Sequence, residues 1–212
     1  MRTDDLITHL STDIRPVRSG AVTRVLLGAA ALGILASAFL MLAVLGLRPD
    51  VGRAMTSFGM WTKLIYTFAI GAFAFWIVER AGRPGAEMAR PASLLALPIL
   101  AIILLAGLQM ALPGANTQEM VVGHSSRVCA FLVIFTAAPI LAATFWALRR
   151  LAPTRLTQAG AGAGLFAGAM GAFVYCFHCQ EAMAPFIAIW YSLGIALTTG
   201  IGAALGRFAL RW

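Results

Sequence analysis

Charge is scarce in this chain. Of its 212 residues only 11% are Asp, Glu, Lys or Arg while 60% are hydrophobic, and the mean hydropathy is +0.86. A water-soluble core of this size cannot bury that much apolar surface, which excludes a soluble globular domain and leaves an integral membrane protein. Cysteine is nearly absent. Three residues are too few for a disulfide scaffold, and the repeated C-x-x-C of a zinc ribbon is missing. Acidic residues number 8 against 16 basic ones, and none stands at the centre of an apolar run. That absence disfavours a proton-coupled or cation transporter, which needs such a group inside the membrane. The net charge of +8 does not imply direct nucleic-acid binding, because most basic residues sit singly or in pairs at the borders of apolar runs.

What is present is a set of apolar runs at about 22–47, 61–78, 92–112, 128–148, 156–177 and 183–205. Each is near the roughly 20 residues that a helix needs to cross the hydrocarbon of a bilayer. Helices are the only choice, since unpaired backbone groups are too costly in lipid and the alternation of a barrel is absent. The expected fold is an all-α polytopic membrane protein with six transmembrane helices and short connections.

Basic residues orient the bundle. Lys and Arg concentrate in the amino-terminal segment, the loop at 80–90, the loop at 149–155 and the carboxyl end. The alternate loops hold only Arg48, Arg53, Lys63 and Arg127. Both termini are therefore expected in the cytoplasm, in a multi-pass arrangement in the bacterial inner membrane. Cys129, Cys176, Cys179, His124, His178 and Glu181 then fall at the outer, oxidising face.

The first twenty-odd residues are polar, unlike a cleaved secretory signal, and are read as retained. Thr3 can cap a helix whose first turn carries Asp4 and Asp5 near its positive end. Leu6, Ile7, Leu10, Ile14 and Val17 recur at spacings of three and four, forming one apolar stripe that Pro16 disturbs near its end. A helix this short is marginal alone and wants a partner. A lipid surface is one candidate, yet such helices are usually rich in Lys and Arg on the polar face, and here Asp4, Asp5 and Asp13 share the segment. A protein groove fits better. The chain thus divides into a segment 1–21 that seeks a partner and a membrane domain 22–212.

Within the fifth run Gly160, Gly164 and Gly168 repeat every fourth residue, and Gly202 and Gly206 repeat the device in the sixth. Small residues at that spacing let helix backbones approach closely, so they report packing rather than chemistry. Gln109 and Lys63, near span ends, can reach the interface or pair internally.

Chemistry concentrates in the stretch Tyr175-Cys176-Phe177-His178-Cys179-Gln180-Glu181. Cys176 and Cys179 share a face if the helix continues, and Cys129 comes from another helix at the same depth. Three outcomes are open: a disulfide between Cys129 and Cys179, a thiol pair modified by oxidants or thiophilic metals, or a soft-metal site completed by His178. Thiolates select soft ions such as Cu(I), Zn or Cd. Glu181 can hold His178 or sit among headgroups. Met55, Met60 and Met183 can add thioether ligands, although methionines there are more often packing residues, and Cys176 alone is as readily a small buried hydrophobe.

Two stretches together resemble a known family. One is Thr3-Asp4-Asp5-Leu6-Ile7 with Leu10, Asp13, Pro16 and Val17. The other is His178-Cys179-Gln180-Glu181 followed by Ala184-Pro185-Phe186 and Trp190-Tyr191. With six spans and Cys129 at the head of the fourth, the chain resembles the NrsF-type membrane anti-sigma factors, negative regulators of SigF-like extracytoplasmic-function sigma factors. The resemblance implies that the cytoplasmic amino-terminal segment holds a sigma factor through its acidic turn and apolar stripe. It implies that two outward cysteines, matching Cys129 and Cys179 here, feel heavy metals or oxidants and relieve the inhibition. Cys176 is an addition to that pattern. No catalytic activity is implied. A membrane thiol oxidoreductase is the competing reading, but such relays usually need two cysteine pairs. A metal transporter is the other, and it lacks a mid-membrane acidic or cysteine motif.

Overall fold

The computed structural model describes residues 20–83, 85–87, 89–114 and 116–211, together with Thr3, Asp5, Ile7 and Ser11. Those four amino-terminal residues are helical and exposed. Leu6, Leu10, Ile14 and Val17 of the expected stripe, and Asp4 of the acidic first turn, lie outside the described residues. The described chain is all-helical.

Six long helices carry the fold: α1 (Ala21–Val44), α2 (Phe58–Ala81), α3 (Ala89–Met110, broken at Leu95), α4 (Ser126–Leu151), α5 (Leu156–Tyr175) and α6 (Ala184–Ala209). A π turn at Ile187–Tyr191 interrupts α6, and short helices Val51–Ala54 and Thr117–Val122 fill two of the connections. Ser57 caps α2, its hydroxyl accepting from the Met60 amide at 3.3 Å, which starts the helix three residues before the apolar run.

Five of the six, all but α5, are long and apolar enough to cross a membrane. Their outward faces carry Leu32, Leu35, Phe39, Phe68, Leu104 and Phe131, all exposed, as suits a lipid surround rather than water. α5 has 20 residues, about 30 Å of helix, but its glycines dilute its apolarity. It lies at the centre of the bundle, with α6, α2, α4 and α1 packed around it.

Glycine is what lets α5 sit there. A methyl group on Gly160 would stand 2.7 Å from the Gly206 Cα, one on Gly202 would stand 2.7 Å from the Gly164 Cα, and one on Gly171 would stand 2.7 Å from the Ala137 Cα. The two glycine rows seen in the sequence therefore face each other across the α5–α6 contact, backbone against backbone. Polar ties complete the centre. Ser37 on α1 donates to the Thr136 carbonyl of α4 at 2.6 Å, and the Thr136 hydroxyl reaches the Gly171 carbonyl of α5 at 3.0 Å.

The helices run antiparallel between two ends. At one end Thr23 of α1 bonds Glu79 of α2 at 2.6 Å, Gly82 abuts Val22 and Leu151, and Gly206 abuts Leu156. Gly20 and Leu210 lie at this end, so the chain enters and leaves the bundle on the same side. At the other end stand the three cysteines.

Candidate functional site

The site is built where the connection after α5 folds over the opposite end of the bundle. The sequence pattern predicts helix to Phe177, with Cys176 and Cys179 on one helical face. Instead α5 ends at Tyr175, and Cys176 to His178 form turns. Polar partners from distant segments supply the reason. The Phe177 carbonyl accepts from the Arg48 amide at 3.1 Å, and the Cys179 carbonyl accepts from Arg48 Nη1 at 3.1 Å and from Lys63 Nζ at 2.8 Å. Charged donors outcompete a further helical turn.

This break separates the two neighbouring cysteines. Cys176 points back along α5 and donates its thiol to the Ala172 carbonyl at 3.2 Å. Cys179 turns to meet Cys129 at the start of α4, the two thiols facing one another within reach of a thiol–thiol hydrogen bond. All three are free thiols and buried. Cys179 is held below the ordinary thiol range, chiefly by the hydrogen bond from Cys129 and then by the charge of Lys63, against the opposing cost of burial.

The surroundings are aromatic and cationic. Tyr175 and Tyr191 pack ring to ring at 5.9 Å, both buried. The Tyr191 hydroxyl has no hydrogen-bond partner of good geometry among the described residues and looks toward Cys176 and Cys179. Arg48 is neutralised by Asp50, two bonds at 2.8 and 2.9 Å. That pair raises the Arg48 guanidinium and holds the Asp50 carboxyl below its usual range. Lys63, 0% exposed, pairs with no carboxylate among the described residues.

The remaining expected site residues are nearby but differently engaged. His178 Nδ1 bonds the Gly46 carbonyl at 2.9 Å, and Gly46 adopts φ +75° to present it. Glu181 does not hold His178. Its carboxylate accepts from the His124 amide at 2.7 Å and lies 3.8 Å from His124 Nδ1. Gly123, at φ +52°, is required there, because a Cβ would stand 2.8 Å from that carboxylate. A cavity of about 440 Å³ opens beside these groups, lined by His124, Ser125, His178, Cys179 and Glu181 among others. The Ser125 hydroxyl is buried without a partner among the described residues.

Among the described residues no three His, Cys, Asp or Glu side chains converge as a metal-binding group, so the structure brings Cys129 and Cys179 together but does not gather His178 with them. Met60 is buried and Met55 and Met183 are exposed. Sequence reasoning missed Lys63, Arg48, Tyr175 and Tyr191 as members of the site. A lysine beside a long apolar run is itself a signal, since a charge carried into the membrane demands a partner.

Fold and site define a class: an all-helical bundle with a lipid-suited surface and a buried cluster of three cysteines at one end. The family model described as "Negative regulator of sigma F" matches residues 10–212, and the chain belongs to that family. It is 38% identical over 215 residues to the anti-sigma-F factor NrsF of Caulobacter vibrioides, covering 100% of both chains. It is 35% identical over 214 residues to the probable anti-sigma-F factor NrsF of Azospira oryzae, again covering 100% of both. No solved structure matches.

Proposed function

We propose that this chain is an inner-membrane anti-sigma factor that holds a sigma factor of the extracytoplasmic-function, sigma F type and releases it when the Cys129–Cys179 pair is oxidised. All six long helices cross the membrane, α5 shielded from lipid by its neighbours, and both termini are cytoplasmic. Residues 1–21 form the sigma-binding segment, through Asp4, Asp5, Leu6, Ile7, Leu10, Ile14 and Val17, and residues 22–212 form the sensor. The observation that carries this reading is the position of the thiol pair at the end of the bundle opposite Gly20, where the amino-terminal segment joins.

The chemistry is that of two facing thiols in an oxidising compartment. With a peroxide as oxidant, one thiolate sulfur attacks oxygen, the O–O bond breaks, and the departing hydroxide takes up a proton to leave as water. The second sulfur attacks the resulting sulfenic acid, S–O breaks, and a second water departs. Two thiols and one peroxide give one disulfide and two waters. The bond ties the start of α4 to the loop after α5. Their far ends, which meet α1 and α6 beside Gly20, shift, and the partner loses affinity. A near-complete switch needs about 5.5 kcal/mol of difference between states, a scale a covalent bond reaches and a surface ion pair, at about 0–1 kcal/mol, does not. The donor geometry favours oxidation over capture of Cu, Zn or Cd, because only two sulfurs face each other.

The test is co-purification. Deleting residues 1 to 18 abolishes capture of the sigma factor while the bundle still inserts and purifies. Unchanged yield of the sigma factor with the truncated chain would refute the reading.

A further inference from the structure

Lys63 sits at the heart of the thiol cluster and nothing in the sensing scheme yet uses it. It is 0% exposed, its Nζ bonds the Cys179 carbonyl at 2.8 Å, and the Tyr191 ring centroid lies 6.0 Å away. The same carbonyl receives Arg48, so two cations converge on one neutral acceptor. Arg48 brings its own counter-charge in Asp50; Lys63 has none among the described residues. An uncompensated ammonium in such a place is costly, and a neutral carbonyl does not offset that cost.

Among the described residues, the groups that face Lys63 are few. α4 contributes the Cys129 thiol, α5 and its following turn contribute Cys176 and Cys179, and α6 contributes Tyr191. On α2 itself the Thr67 hydroxyl is committed to the Lys63 carbonyl at 2.8 Å, and the Tyr66 hydroxyl is committed to Ser192 at 2.6 Å. Tyr175 faces the Cys129–Cys179 pair. Glu181 and His178 are turned to His124 and Gly46. No carboxylate is among them. A thiol is the most acidic group in the set, and the Cys129–Cys179 pair can share one proton between two sulfurs.

We propose that Lys63 is the positioning residue of the thiol pair: its ammonium, held by the Cys179 carbonyl, is the resident counter-ion of one thiolate shared between Cys129 and Cys179. The resting site is thus an ion pair with a nucleophile ready for an oxidant, not two neutral thiols awaiting deprotonation. The inference deepens the sensing reading and rests on it only for its link to sigma release.

The experiment uses the full chain, reduced, in lipid nanodiscs with Cys176→Ser, and maps alkylation of Cys129 and Cys179 by iodoacetamide across pH by mass spectrometry. The thiolate displaces iodide, forming S–C as C–I breaks. The wild-type lysine keeps the rate flat from neutral to mildly acidic pH, where an ordinary thiol slows about tenfold per pH unit. Lys63→Met slows alkylation at neutral pH at least about tenfold and returns the profile to that of an ordinary thiol, while Lys63→Arg retains the flat profile. Equal profiles for Lys63→Met and wild type, both monodisperse, would overturn the proposal. Should Lys63→Met fail to fold, the ultraviolet thiolate absorbance of the Lys63 protein decides: its presence at neutral pH and loss in Cys129→Ser/Cys179→Ser supports the ion pair, and its absence overturns it. A lysine-dependent thiolate in a protein whose oxidation leaves the sigma factor bound would uphold this inference and refute the sensing reading.

Discussion

Lys63 Nζ and the carbonyl oxygen of Cys179 lie 2.8 Å apart, joining residues separated by 116 positions in the chain. With Arg48 on the same oxygen at 3.1 Å, the loop that carries Cys179 is pinned through its backbone, so its thiol is aimed at Cys129 before any oxidant arrives. A loop free to swing would spread the strain of a new S–S bond into itself. A pinned loop passes it to α4.

Cys129→Ser and Cys179→Ser each abolish disulfide formation, and each leaves the sigma factor bound under oxidant. Cys176→Ser does neither, because the Cys176 thiol is bonded to the Ala172 carbonyl and not to the pair. Non-reducing mass spectrometry of the oxidised protein checks this. A Cys176–Cys179 crosslink as the main product would contradict it.

Gly164→Leu or Gly202→Val forces α5 and α6 apart and destabilises the bundle by about 1–3 kcal/mol, the usual cost of overpacking. Gly200→Val is the control, since a Cβ there meets nothing within 4 Å. Thermal unfolding in one detergent, compared across the three variants, measures the difference.

The Arg48–Asp50 pair gives an acid-sensitive contribution to stability. Asp50 is held below its ordinary value by Arg48, so the contribution is fully present above the unfolded carboxylate range and is lost as pH falls through the depressed folded value. Asp50→Asn lowers the unfolding temperature at neutral pH and removes this part of the acid limb. An unaltered pH profile in the variant would show that the pair does not support the loop.

Glu181→Ala frees the His124 amide and loosens the segment after Thr117–Val122. A hydrogen bond to a charged acceptor contributes about 1.5–3 kcal/mol, so hydrogen exchange at His124 accelerates by about tenfold or more. Exchange rates at Cys129, inside α4, stay unchanged.

Much of the frame is legible in the sequence. Hydropathy locates every long helix to within a few residues at most ends, and the glycine rows mark α5 and α6 as close-packing helices, because both depend on local pattern; that the two rows face each other is seen only in the fold. Cys129 and Cys179 are also legible as a pair. What is not legible depends on partners far along the chain. The break after Tyr175 is set by Arg48 and Lys63, and the placement of Glu181 on His124 rather than on His178 is set by the turn at Gly123. Lys63 reads from sequence as a residue able to reach the interface or to pair internally, with no partner named. Its burial among three thiols emerges only when α2, α4, α5 and α6 close around it.

The most direct test joins the two ends of the molecule. The full chain with its bound sigma factor, in nanodiscs, is titrated with peroxide while bound sigma factor and the Cys129–Cys179 crosslink are measured in the same samples. Release that rises in step with the crosslink, and that a disulfide reductant reverses, is the predicted result. Complete crosslinking with the sigma factor still bound would contradict the account.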